Sequence, residues 1–444
     1  MLLDLNVIID RLVCCIMKSK NKNINSFFPR LVLLYISYSI LCRYLYAINR
    51  FSNGEVFIQY SLYAQTLLCI PFLYYAYNQY KIHFCQKNMI WITFSMFYLF
   101  IVELLNTLFF SDVYNYIIPD MVFWCFFFSM FLLGASEKFW EMFMAYAVLI
   151  VLFTCFASIF ELTTKTYSYM RDAWDNESYL YDVQLGFSVL HIILVYFVLT
   201  KQKHNRKITI VAFAFFFILQ FIFQKRLPLF HNFLIIVFLF YVSRRFVKKI
   251  TMKYMFLVLL VVTLLSVFFI PDKYFNATVE RFTERGNVTK TVETDTRYLI
   301  AGRAVSRTLD NSKTILFGQG LGGTLLGNFG GKTIKYQGKE ISGIVEIEFG
   351  AVTVFYRYGI IFFIVIFGKI IMVLLQFGKY RNNPLSITCW TYLIVFLIMT
   401  MVGESFPGVS TPIFTLMVAG SLGYLSSYNA TKKSGYFVSS YKSL

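Results

Sequence analysis

Apolar runs of about 18 residues or more recur along most of this chain, separated by short polar stretches, and runs of that length are the signature of membrane-spanning helices. They predict helices at 28–48, 56–77, 89–110, 114–135, 139–160, 181–200, 207–224, 227–243, 252–270, 350–376, 385–402 and 409–427. The seventh and eighth meet at QKRLP, which reads as a tight helical hairpin. The expected fold class is an all-α polytopic integral membrane protein of about 12 transmembrane helices. Ahead of them, Asp4, Arg11 and Lys18 recur every seven residues beside an apolar face, the pattern of a short interfacial helix. That segment lacks the basic start and small-residue cleavage site of a signal peptide.

Composition agrees with the pattern: of 444 residues, 58% are hydrophobic and only 14% charged, so lipid rather than one buried core must receive the apolar surface. The eight cysteines, Cys14, Cys15, Cys42, Cys69, Cys85, Cys125, Cys155 and Cys389, lie almost all in or beside apolar runs and form no C-x-x-C. They read as small buried hydrophobes and not as a disulfide framework or metal site.

Net charge is +18, but it falls in clusters between the apolar runs, as orientation signals do, and not on an aromatic-interleaved nucleic-acid surface. KSKNK near the N-terminus, KQKHNRK at 201–207, RRFVKK at 244–249, KYR at 379–381 and the C-terminal KK fall on one side. The positive-inside rule places that side, and both termini, in the cytoplasm. The chain then divides into a cytoplasmic or interfacial 1–27, spans one to nine in 28–270, an external, partly helical loop at 271–347, spans ten to twelve in 348–427, and a cytoplasmic tail at 428–444.

The external loop carries the candidate chemistry. From Thr294 to Leu309 the sequence suits a helix ended by Asp310-Asn311, and Arg297, Arg303 and Arg307 fall within about a 120° arc of it. Guanidinium forks match phosphate oxygens, so such a face above a membrane suits a diphosphate headgroup. The alternative is a solvated face paired with Glu280, Glu284, Glu293 or Asp295. Next comes GQGLGG at 318–323, a literal G-x-G-x-x-G. A dinucleotide loop needs a strand before it and a βαβ setting, whereas here a basic helix precedes and more Gly-rich loop follows. Gly318 and Gly320 therefore read as turn and close-approach residues.

Glu346 and Glu348 stand at the external end of the tenth span with Arg357 one or two turns deeper, and ionisable residues there are costly and often functional. The other reading is pairing with neighbouring helices. Lys225 and Arg226 form a second external cation pair in the tight hairpin, and Arg171 is a further candidate on another external loop. His231 reads as a lone helix-helix hydrogen bonder. No H-E-x-x-H, serine elbow or P-loop occurs, so no metal or nucleotide cofactor is expected.

Many spans, an arginine in the external hairpin (Arg226), and the order Arg297, Ala304, LFGQGLGG, an acidic stretch and YRYGIIFF resemble the O-antigen polymerase and O-antigen ligase superfamily. The likeness covers the last half of the chain; the first six spans match only in hydropathy. The resemblance implies a GT-C-like helical body in the bacterial inner membrane and glycan transfer from undecaprenyl diphosphate on the periplasmic face. It implies that Arg226 and Arg297 hold the donor diphosphate, with Lys225, Arg303 and Arg307 assisting, and that Glu348 or Glu346 activates the acceptor sugar. Donor and acceptor would be lipid-linked oligosaccharides, with a chain-length regulator and a flippase as protein partners. The ligase branch carries a His-Asn pair eleven residues before a Gly-x-x-Gly; here the corresponding positions are Glu348-Phe349, Gly359 and Phe362. That departure favours a repeat-unit polymerase over a ligase. A flippase or transporter is the reading from another class, and it predicts paired broken helices and charges near the midplane, of which Glu103 is the clearest.

Overall fold

The computed structural model describes residues 24–48, 55–109, 114–164, 183–200, 203–222, 226–243, 296–319, 325–326, 334–336, 339–341, 343–344, 349–376, 383–402 and 412–433. Eight helices come first: α1 (Ile24–Ile48), α2 (Glu55–Tyr80), α3 (Gln86–Phe109), α4 (Tyr114–Leu133), α5 (Glu137–Thr164), α6 (Val183–Thr200), α7 (Lys203–Ile222) and α8 (Arg226–Ser243). Then follow α9 (Thr296–Leu309), α10 (Ser312–Phe317), four short strands, α11 (Gly350–Leu374), α12 (Pro384–Val402) and α13 (Pro412–Lys433). Helices thus occupy every expected position except 252–270, which lies outside the described residues, as does the N-terminal 1–23.

Four helices are long and apolar enough to cross a membrane by length and composition: Gln86–Leu105 in α3, Glu137–Ala157 in α5, Gly350–Leu374 in α11 and Pro384–Met401 in α12. Shorter apolar stretches lie in α1, α4, α6, α7 and α13. The protein is a helical membrane protein, and the outer surfaces of its helices agree with that. On α2 the exposed residues include Tyr60, Tyr63, Leu67, Ile70, Tyr74 and Tyr77, one helical stripe with tyrosines at both ends and aliphatics between. The stripe spans about 25 Å at 1.5 Å per residue, close to a hydrocarbon core, and puts amphipathic rings where the two interfaces fall. Similar apolar stripes face outward on α3 (Ile90, Phe94, Phe97) and α5 (Leu149, Phe153, Phe156).

The inner helices are α4, α6, α12 and α13. Phe126, Phe127, Phe128, Phe131 and Leu132 of α4 are fully buried. α4 and α13 approach closely because a Cβ on Gly134 would land on the Gly420 backbone, and one on Gly423 on the Phe131 carbonyl. At the end of the bundle away from α9, polar side chains close the helix ends. Lys369 Nζ donates to Asn88 Oδ1, the Asn88 amide donates to the Ser426 carbonyl at 3.3 Å, and the Tyr424 hydroxyl donates to Glu137 at 3.0 Å.

Two sequence expectations change, and His231, expected to hydrogen-bond between helices, gains a named partner. The Gly-rich stretch expected as loop contains two antiparallel ladders: β1 (Leu325–Leu326) pairs with β4 (Gly343–Ile344), and β2 (Ile334–Tyr336) with β3 (Lys339–Ile341). Two residues, Gln337-Gly338, separate β2 from β3, the length of a tight hairpin loop. His231 is not alone: its Nε2 lies 3.3 Å from Nδ1 of His191 on α6, with the Tyr392 ring 5.4 Å from that of His191. These two imidazoles lie 40 residues apart, a pairing that hydropathy alone does not register. Finally, the segment expected as an external loop enters the helix bundle at α10.

Candidate functional site

α9 forms because TRYLIAGRAVSRTL places Ala301, Ala304 and Thr308 on one stripe, spaced i, i+3 and i+7. Those three residues are buried, and Ala301 and Ala304 pack on Phe349, Val352 and Tyr356 of α11. Position 297 falls in register with the same stripe, four residues before Ala301. Arg303 is exposed and Arg307 half-buried on the flank. Like Arg307, a cation in a last turn complements the negative end of the helix dipole.

Asn311 then caps α10, its side chain accepting from the Lys313 amide at 3.0 Å. The Thr314 hydroxyl donates to the Thr308 carbonyl at 2.8 Å and folds α10 back onto the end of α9. α10 runs down to the middle of α3, where Phe317 stacks on Tyr98. Here α11 is broken: Gly359 has φ 73° and ψ −177° inside an otherwise helical segment. Gly318, at the end of α10, has φ 76°. The two glycines interlock. A Cβ on Gly318 would strike the Arg357 carbonyl, and one on Gly359 the Leu316 carbonyl, so only glycine permits both the positive φ and the contact.

A broken helix at this depth leaves backbone carbonyls that lipid cannot satisfy. Two residues supply partners. Gln319 N–H donates to the Tyr356 carbonyl at 2.7 Å. The Tyr98 hydroxyl lies 2.8 Å from both the Leu316 and Tyr358 carbonyls, bridging the end of α10 and the break in α11. Trp124 Nε1 donates to the Tyr358 hydroxyl at 3.0 Å. Phe362 fills the space below, stacked on Tyr98 and edge-on to Trp124 at 4.9 Å. A glycine at this position, as in the ligase signature, would vacate that aromatic cluster.

The break also collects charge. Arg357 is two residues before Gly359 and half-buried, and Arg307, also half-buried, lies in the last turn of the helix that packs on α11 at Tyr356. Two arginines at one partly buried helix contact suit an anion with several oxygens. Gln319 spans this arrangement, since its side-chain amide donates to the Arg307 carbonyl at 3.2 Å.

Of the other sequence-derived candidates, Arg226 opens α8 and Arg297 is the second residue of α9. Their side chains, and the whole of Lys225, Arg171, Gly320, Glu346 and Glu348, lie outside the described residues. Tyr98, Gln319 and Tyr356 were not singled out in the sequence. Gln319 carried a signal in its place between two glycines of GQG, whereas Tyr98 is one of many aromatics in an apolar run. Gly318-Gln319, the described start of GQG, follows helix α10 and not a strand, so it lacks the setting of a dinucleotide loop. Among the described residues no group of three or more His, Cys, Asp or Glu could hold a metal ion. No protein-family model matches the chain, and no curated protein matches it in sequence.

Proposed function

We propose that this protein is a bacterial polysaccharide repeat-unit polymerase: a membrane glycosyltransferase that moves a growing glycan from undecaprenyl diphosphate to a lipid-linked repeat unit on the periplasmic face. One observation carries the reading. An arginine-bearing helix, α9, packs on a broken apolar helix, α11, and Gln319 bonds both the Arg307 carbonyl and the Tyr356–Arg357 peptide, so that the two arginines belong to one helix contact. Fixed cations in a partly desolvated site act best on charge that develops in the transition state, and the leaving group of this reaction is a diphosphate. In this reading about twelve spans of GT-C-like arrangement lie in the inner membrane with both termini cytoplasmic. Arg226, Arg297 and Lys225 complete the diphosphate site from the neighbouring hairpin and helix. Glu348, or Glu346, takes the proton from the acceptor hydroxyl.

The balance of the step is simple. The acceptor oxygen forms a bond to the anomeric carbon, the bond from that carbon to the diphosphate oxygen breaks, and the hydroxyl proton passes to the carboxylate. No cofactor enters. The flippase alternative is less well supported: the carbonyls freed at Gly359 already accept from Gln319 and Tyr98, and so are not left to coordinate a coupling ion.

The test is a polysaccharide gel on cells carrying single variants, with membrane insertion checked by immunoblot. Arg226→Ala, Arg297→Ala, Arg307→Ala and Arg357→Ala are each expected to collapse long chains to single repeats. Full-length chains from both Arg307→Ala and Arg357→Ala would remove the assignment. Long chains left on their lipid carrier in the null strain would mean a ligase.

A further inference from the structure

The middle residue of GQG has a role that neither the glycines nor the arginines supply. Gln319 makes two bonds to two different helices: its backbone N–H donates to the Tyr356 carbonyl at 2.7 Å, and its side-chain amide donates to the Arg307 carbonyl at 3.2 Å. The first acceptor belongs to the peptide unit joining Tyr356 to Arg357. The second is the backbone of Arg307 itself. Next to it, Gly318 lies directly against the Arg357 carbonyl. Gln319 therefore grips the main chains of both cation-bearing residues, one in the last turn of α9 and one just before the break in α11.

Alongside these bonds, α9 and α11 pack through small and aromatic apolar side chains at Ala301, Ala304, Val352, Phe349 and Tyr356. Such packing sets a distance between helices but resists sliding weakly, because its contacts lack direction. A hydrogen bond across the pair fixes axial register. The Arg307 carbonyl lies in the last turn of α9, where carbonyls have no intrahelical partner, so the Gln319 amide also meets a need of the helix end.

We infer that Gln319 is the positioning residue of the diphosphate site: by joining Arg307 to the Tyr356–Arg357 peptide it sets the spacing of two guanidinium groups so that both engage one diphosphate. This rests on the proposed function for the chemical class of ligand, and on the two hydrogen bonds for the role of Gln319. The prediction separates donor chemistry from bulk. Met has nearly the length of Gln and no donor, while Lys keeps a donor and adds a charge of the sign the site already has.

Binding of farnesyl diphosphate, and in parallel of inorganic diphosphate, is measured on the purified full-length protein in nanodiscs, with thermal midpoints for every variant. Wild type is expected to bind both, the prenylated probe more tightly because its chain is buried in lipid or against the apolar helices. Arg307→Ala and Arg357→Ala are expected to lose binding. Gln319→Met is expected to weaken it about five- to tenfold, the worth of one hydrogen bond, with the midpoint lowered by no more than the loss of that one bond. Gln319→Lys is expected to bind within about twofold of wild type or more tightly. Gln319→Met binding like wild type, while both arginine variants fail, would overturn the role of Gln319 and leave the diphosphate site standing. Equal losses in Gln319→Met and Gln319→Lys with lowered midpoints would reduce Gln319 to packing. Binding unaffected by either arginine variant, or absent in wild type, would overturn the diphosphate reading and this inference with it.

Discussion

A methyl group added to Gly359 would land on the Leu316 carbonyl, and the backbone there already has φ 73°. The left-handed conformation alone costs an ordinary residue about 1–2 kcal/mol, and the collision adds to it, since the obstructing atom is backbone and cannot rotate away. Gly359→Ala is therefore expected to lower the thermal midpoint in detergent markedly and to release α10 from α11, read as new protease cleavage near residue 317. Gly302 is the control. It lies within α9, and a Cβ there meets nothing within 4 Å, so Gly302→Ala should be neutral or stabilise by up to about 1 kcal/mol through helix propensity. At this scale the sequence was partly legible. GQG announced a close backbone approach, but which backbone it approached was not written in its neighbours, because Gly359 lies 41 residues further on. Tyr98 gave no signal at all: its worth comes from two carbonyls that exist as orphans only once α11 is broken.

At the level of elements, periodicity and length placed the helices well, since an apolar run long enough to span lipid has few other ways to satisfy its backbone. What hydropathy could not rank was which helices lie inside. α3 and α4 are both strongly apolar, yet α3 presents Ile90, Phe94 and Phe97 outward while α4 is engulfed. The difference comes from small residues. Gly134 after α4, with Gly420 and Gly423 of α13, allows the backbones to touch, and association among lipid-soluble helices depends on such close packing. Gly423→Ala is expected to destabilise the fold by an amount typical of overpacking, roughly 1–3 kcal/mol, read as a lower thermal midpoint. A midpoint equal to wild type would show that α13 shifts to accept the methyl group. The strands β1 to β4 were missed because ladders of two or three residues in a Gly-rich stretch carry too few alternations for a period of two to register.

For the whole molecule, the proposed orientation is open to a direct test. Cys85 lies exposed on the short connection between α2 and α3, whereas Cys42, Cys69 and Cys389 are buried. The distribution of Lys and Arg puts Cys85 on the cytoplasmic side. A variant keeping Cys85 as its sole cysteine should react with a membrane-impermeant maleimide only after the membrane is permeabilised. Moving the single cysteine to Ser312→Cys, an exposed position at the start of α10, should give labelling in intact spheroplasts. The reverse result would invert the topology and place the arginine helix in the cytoplasm.

Membrane residence, the helical class and the approximate span positions were determined by the sequence itself, because the cost of bare backbone in lipid leaves long apolar segments only one local solution. The proposed orientation rests on where the basic clusters fall. The tertiary structure alone decided that the segment after α9 enters the bundle, that α11 is broken where Gly318 crosses it, and that Gln319 joins the Arg307 carbonyl to the Tyr356–Arg357 peptide. These depend on contacts between residues tens to hundreds of positions apart, such as Tyr98 with Leu316 and Tyr358. No local pattern encodes such a contact, since each partner's need for it arises only when the others are in place. GQG is the point where the two kinds of information join: its glycines were visible from the start, and its glutamine acquired a role only when two helices closed around it.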